Sequence, residues 1–487
     1  MNILWFKKDL RITDNLALCE AYQNKSVISL YILEPELWQQ SDISYRHYHF
    51  LTQAVKDLQT KLQSLGHEFI IKIGNALDII QSIHDTHPID ALYSHQEIGN
   101  NWTYNRDKQV AKFCLINSIK WHEYPQNGVI RGLKNRDGWA SKWLKNNGKI
   151  TDSQKYLTRR STPHQISTDT WPAAYALGIK HDGYDQKYIA TRAEAENLLD
   201  SFLTQRGENY SKEMSSPVSA FSACSRLSVY LSFGIISIKE ILFATQNRQS
   251  KWRQLDKSKK GKWGSALRSF NARLRWHCHF IQKFEDQPSI EFINMHRGYD
   301  GLRPSTLNAN QQKFFAAWQQ GLTGYPMIDA CMRCLKKTGW INFRMRAMLV
   351  SFASYNLWID WRYTAHYLAK MFIDYEPGIH YSQVQMQSGT TGINTIRIYN
   401  PTKQGLDQDP DGKFIKQWIP ELENMPINKI HTPWQMPLFL NGYPVPIVDF
   451  LDSRKTAMSK ISAVRKKASS KLEARQVLIK HGSRKKP

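Results

Sequence analysis

A chain of 487 residues is too long for one ordinary core, so at least two domains are expected. A hydrophobic content of 41% excludes a disordered chain, and no apolar run reaches the roughly 18 residues of a membrane span. Lys and Arg outnumber Asp and Glu by 66 to 42, a formal charge of +24 that favours a polyanionic partner over a merely soluble protein with a basic tail.

The N-terminal MNILWFKKDLRITDNLAL turns charged after Phe6 and lacks the apolar core and cleavage site of a secretory signal. Six irregularly spaced cysteines make no disulfide framework, which points to a reducing, cytoplasmic setting. Asn2–Phe6, Val27–Leu33, Glu68–Ile73, Ala91–Ser94 and Ile119–Tyr124 are apolar runs of strand length. Helical spacings lie between them, such as Tyr48–Leu65, which ends before Gly66. The alternation predicts an α/β domain with a parallel, Rossmann-like sheet over residues 1–130. No GxGxxG or GxxxxGK[ST] follows the first strand, so no phosphate-cradling loop is expected there.

Residues 131–205 show no sustained period and are expected to form a connector wrapped over the surface. Residues 206–452 read as an all-α domain, interrupted at 251–263 by the basic loop KWRQLDKSKKGKW. Residues 453–487 hold twelve Lys or Arg against one acid, Glu473. Such a run predicts a solvated, partly disordered tail, with at most a helix from Lys460 to Lys480, that adds non-specific affinity for nucleic acid.

The stretch from Thr323 to Gly405 is rich in Trp, Tyr, Phe and Met, yet carries Arg344, Arg346, Asp360, Arg362, Asp374 and Glu376. Charges in apolar surroundings need partners or a ligand, so a pocket for a large, charged, aromatic ligand is expected. Cys331 and Cys334 lack a second cysteine pair, and His277 and His279 face apart at i, i+2 on a helix, so no metal site is expected.

The motifs WFKKDLRITDNLAL, CSRLSVYLSFGIIS, TGYPMIDACMRCLKKTGW, IDWRYTAHYLAKMFID and RIYNPTKQG run in the order found in the photolyase/cryptochrome flavoproteins, which the chain resembles over about 440 residues. The resemblance implies FAD in the helical domain, a DNA-binding face with a hole leading to the flavin, and light-driven electron transfer. It also implies an antenna pigment near Ser94–Asp107, with folate, deazaflavin and none left open. By the same resemblance, Tyr210, Cys224, Ser225, Arg226, Leu227 and Ser228 fall at the flavin phosphates, with Cys224 where Thr is common. Arg346 and Asp374 match a buried pair beside the isoalloxazine, and Glu376 replaces an Asp that accepts from the flavin or ribose. His380 falls where photolyases place Asn and many cryptochromes Asp; with an ordinary pKa of about 6.5 it would couple flavin redox state to pH.

On the substrate side, Trp276 matches a tryptophan that stacks on a flipped dimer. Arg273 stands where Glu is typical, His277 where Arg is, Phe343 where Asn is, and Met386 where a second Trp is. Arg344 and Arg397 complete the expected substrate set, with Trp276, Arg344 and Arg273 as the catalytic candidates. Trp361 matches the middle of an electron-transfer chain whose other stations are Val384 and Asn308; Trp358 and Tyr355 offer a detour along one helix. The leading expectation is a monomeric photolyase repairing pyrimidine dimers in single- or double-stranded DNA. The alternatives are a cryptochrome-like blue-light photoreceptor without repair and a flavoprotein that only binds nucleic acid.

Overall fold

The computed structural model describes residues 1–23, 26–158, 165–185 and 188–482. Strands β1 (Asn2–Phe6), β2 (Val27–Leu33), β3 (Phe69–Ile73), β4 (Ala91–His95) and β5 (Lys120–Tyr124) form a parallel sheet in the order β3-β2-β1-β4-β5. Ile3 pairs in register with Ile28 on one side and Leu92 on the other. β1 and β2 are buried along their whole length, as parallel strands covered on both faces must be. The crossovers run through α1 (Leu16–Ala21), α2 (Tyr45–Ser64), α3 (Ala76–Thr86) and α4 (Asn101–Ile116). One face of the sheet packs Trp5, Ile28 and Leu92 against Ile80 and Val110. The other joins Leu4 and Phe6 to a core shared with Tyr230 and Phe270 of the helical part, which welds the two halves together.

Strand order reverses between β1 and β4, where open α/β sheets place ligands at the carboxyl ends. Here the crevice holds Arg106, which is buried, ion-paired with Glu34, Glu97 and Asp107, and 4.9 Å from the Trp5 ring centre. The Ser94–Asp107 segment therefore supplies an internal ion network.

The stretch expected to wrap the surface is more deeply built in. Trp139, Trp143, Leu157 and Tyr184 are buried in the shared core, so non-periodic sequence here is a strap whose large side chains are packed.

The helical part includes α5 (Trp263–Asp286), α6 (Pro326–Thr338), α7 (Phe343–Ser351), α8 (Trp361–Met371) and α9 (Pro377–Ser388). Pro326 and Pro377 begin their helices where no amide hydrogen is needed. Gly339 and Gly389 end α6 and α9 at φ +72° and +81°, a conformation glycine adopts freely. A Cβ on Gly389 would also lie 2.5 Å from the Tyr355 hydroxyl.

The C-terminal segment departs from the expected solvated tail. It forms α10 (Phe450–Lys466) and α11 (Ala468–His481), with Ala457, Ile461 and Val464 packed on Tyr299 and Tyr355. Arg484, Lys485 and Lys486 lie outside the described residues. Among the described residues, no helix is long and apolar enough to cross a membrane, and no cluster of His, Cys, Asp and Glu could hold a metal ion.

Candidate functional site

The CSRLS segment lies in a turn that ends on a short helix beginning at Ser228. Arg226 adopts φ +64° there, an unusual conformation for a side-chain-bearing residue. Its guanidinium lies over Trp340 at 4.0 Å and Phe221 at 4.7 Å and donates to the Tyr188 hydroxyl. Arg206 holds the turn from behind, donating to the carbonyls of Ser222 and Cys224 at 2.7 Å each. Arg226, Arg206, Arg273 and Arg346 all act electrostatically on Cys224, although burial still pushes its thiol up to about 11. Tyr210 is buried on the edges of Phe202 and Phe270 and accepts a hydrogen bond from Arg273. Sequence reasoning missed Arg206, Tyr188 and Trp340, which reach the turn from distant parts of the chain.

Arg346 and Asp374 form a bidentate pair, both bonds 2.9 Å. Arg346 also donates to the Ile341 carbonyl at 2.8 Å and stacks over Phe372 at 4.1 Å. Burial works to raise the Asp374 pKa, but the charge and hydrogen bonds of Arg346, with a bond from Ser228, hold it below the usual carboxylate value. Ser228 thus ties the CSRLS turn to the pair.

Glu376 caps α9 and lines a polar cavity between sheet and helices with Lys8, Arg11, Gln126 and His277. Burial raises its pKa against Lys8 and the Gly378 amide. The Nε atoms of Arg226 and Arg344 are buried and make no hydrogen bond among the described residues. Four guanidinium groups act on one turn, and one of them, Arg226, is incompletely satisfied, which fits a diphosphate-bearing ligand.

His380 corrects one expectation. Its Nε2 bonds the Ala365 carbonyl at 2.9 Å, and its ring packs edge-on against Tyr375 and Tyr381. Burial pulls its pKa down to about 4, outweighing that bond, so the ring is neutral at physiological pH and is no proton switch near neutrality.

Four of the predicted substrate residues fall on two helices, Arg273 and Trp276 on α5 and Phe343 and Arg344 on α7. Trp276 is 40% exposed and stacks on Phe280 at 5.5 Å; Phe343 is 49% exposed. Arg273, one helical turn before Trp276, lies 5.6 Å over the Phe343 ring. Arg344 makes a long 3.4 Å bond to Gln404. Met386 is half-buried on α9, and Arg397 is exposed on the following loop. Two exposed large aromatics thus stand beside an arginine side chain.

The aromatic route also differs from expectation. Trp361 is buried, its Nε1 bonded to Asn294 at 2.7 Å. Val384 is buried, and Asn308 is the exposed N-cap of a surface helix. Tyr355 belongs to a π-helical turn, and Trp358 sits at φ +54° before α8 begins, so the three aromatics do not share one helix. Arg303 lies 4.7 Å from Trp358 and 5.6 Å from Tyr355, and Lys460 lies 4.6 Å over Trp358. Positive charge there opposes removal of an electron. The aromatic next to Trp361 is instead Tyr381, its ring centre 6.5 Å away, which sequence reasoning missed.

The chain is similar to known proteins along most of its length. The family model described as DNA photolyase matches residues 2–132, and the FAD binding domain of DNA photolyase matches 270–463. A deoxyribodipyrimidine photo-lyase of Salmonella typhimurium is 28% identical, the match covering 96% of this chain and 99% of that protein. Cryptochrome-2 of Arabidopsis thaliana is also 28% identical, over 95% of this chain and 79% of that protein. A cryptochrome structure from Synechocystis superposes with a TM-score of 0.82 at 21% identity, covering 94% of this chain and 98% of that one.

Proposed function

Because the chain belongs to the photolyase/cryptochrome family and carries its FAD-binding domain, we propose that it is a light-driven DNA photolyase acting on pyrimidine dimers. The observation that carries this reading is the exposed Trp276 on a strongly basic protein. An extruded pair of pyrimidines offers flat faces that stack on Trp276, and Phe343 adds apolar contact. Arg344 and Arg397 supply donors for phosphate or base carbonyl oxygens. Arg273 places positive charge where a dimer accepting an electron becomes negative.

Bound, reduced FAD would supply light-driven one-electron chemistry to the dimer. The chain's own residues position it. The CSRLS turn with Arg226, braced by Arg206, would hold the diphosphate, and Arg346, anchored by Asp374, would offer positive charge to the ring system. Glu376 and His380 complete the flavin set in this reading, with His380 as a neutral polar wall.

The test is loss of cyclobutane and (6-4) lesions under blue light with chemically pre-reduced flavin, which bypasses the aromatic chain. Lesion loss is expected. No loss of either lesion sinks the enzyme reading and favours the photoreceptor, for which Arg273, Phe343, Val384 and Met386, all departures from the photolyase pattern, speak.

A further inference from the structure

The basic C-terminal segment is a folded pair of helices, and its contacts tie it to the two helices that carry the mouth, the exposed pair Trp276 and Phe343. Asn394 accepts a bond from Arg465 of α10 through its carbonyl. A few residues on, the Arg397 carbonyl accepts from Ser351 at the end of α7, the helix that begins at Phe343. The loop carrying Arg397 thus bridges α10 and the C-terminal end of α7, about 12 Å along the helix from Phe343. The far end of α11 returns to α5, because His481 bonds Gln287 at 3.0 Å and its carbonyl accepts from Arg136 at 3.3 Å. Arg136 bonds His279 at 2.9 Å, and the His279 ring lies edge-on to Trp276 at 4.9 Å. The helix pair is therefore tied to both helices that carry the mouth.

Its charge is one-sided. Nine Lys or Arg are described between Ser453 and Gly482, and eight of them are exposed. The single acid, Glu473, is turned inward, where it accepts from the Arg297 and Gly298 amides and faces His296. The exposed face is left without a carboxylate of its own beyond Ser453. A disordered tail carrying these cations would lose chain entropy on binding; cations on packed helices lose only side-chain freedom. Helices of 17 and 14 residues span about 25 and 21 Å, enough to face several phosphates along a duplex.

We propose that α10 and α11 form a phosphate-binding wall for double-stranded DNA, engaging backbone that flanks the nucleotides presented to Trp276. This rests on the DNA reading of the mouth but concerns a separate surface and needs neither flavin nor light. It is tested with full-length protein carrying Lys466→Gln, Lys467→Gln, Lys471→Gln and Arg475→Gln together. Affinity for an undamaged duplex is measured across a salt series, with thermal midpoint and FAD content as fold controls. All four side chains are exposed, so the controls are expected to match the parent. The slope of log affinity against log salt should become shallower by about 0.9 for each phosphate that is no longer neutralised, or about 2–4 in all. A steep parental slope that the variant leaves unchanged overturns the wall while leaving the mouth intact. Absent or salt-independent binding by the parent sinks the DNA reading itself.

Discussion

Removing the Asp374 carboxylate is the sharpest perturbation of the proposed flavin site. Its side chain is 4% exposed, and both oxygens accept from Arg346 at 2.9 Å. At that separation, charge centres about 4 Å apart attract by about 4 kcal/mol at an effective dielectric of 20. Breaking a buried pair by removing one partner costs about 3–5 kcal/mol, because the other charge stays behind. Arg346 is 25% exposed and keeps the Ile341 carbonyl and the Phe372 face, so the low end, about 3 kcal/mol, is expected for Asp374→Ala. Asp374→Asn should cost less, since it retains one acceptor. Urea unfolding of the flavin-free protein gives the stability change, and flavin released on denaturation gives the retention. A loss below about 0.5 kcal/mol with normal retention would mean that the pair neither stabilises the fold nor shapes the site.

Lesion binding should weaken by about 1–3 kcal/mol in Trp276→Ala, the worth of one base–aromatic stack, measured by competition against undamaged duplex; equal affinity would remove Trp276 from the interface. Flavin photoreduction should slow in Trp361→Phe and in Tyr381→Phe but not in Trp358→Phe, where two nearby cations oppose oxidation. The reverse pattern would restore the Trp358 route. Stability should fall as pH drops from about 6.5 to about 4. His47 and His380 are buried with pKa values pulled down to about 4, so in this window the unfolded chain binds protons that the folded one refuses. Each can contribute up to about 3 kcal/mol of loss. A flat stability profile over that range, followed by urea unfolding, would show that these rings take up protons without unfolding.

Much of the sheet was legible because its strands are buried on both faces. Val27–Leu33 is an apolar run broken only by Ser29, and burial on both sides is what makes it one. The site was legible only where a side chain's partner lay in a matching motif. Arg346 and Asp374 were both matched through the resemblance, and they meet. His380 was misjudged because its state depends on a carbonyl fifteen positions away and on three aromatic neighbours, none of which its own segment reveals. Tyr381 was invisible as a neighbour of Trp361 for the same reason.

The C-terminal helices were misread for a different cause. Ala457, Ile461 and Val464 recur at i, i+4 and i+7, the stripe of an amphipathic helix, and all three are buried. The stripe is narrow and carried partly by alanine, so the surrounding Lys and Arg dominated the composition and suggested a solvated tail. What holds such a thin stripe in place is polar. Asn356 donates to Ser453 at 2.9 Å, and His296 bonds the Ser470 carbonyl at 2.8 Å. Arg465 and Glu473 are spent on backbone groups of the loops beneath. Polar anchors at helix ends fix position where apolar area is too small to do so, and leave the outward faces free to stay basic. A charge-rich segment with even one short apolar stripe is therefore better read as a packed helix presenting its charges than as a tail.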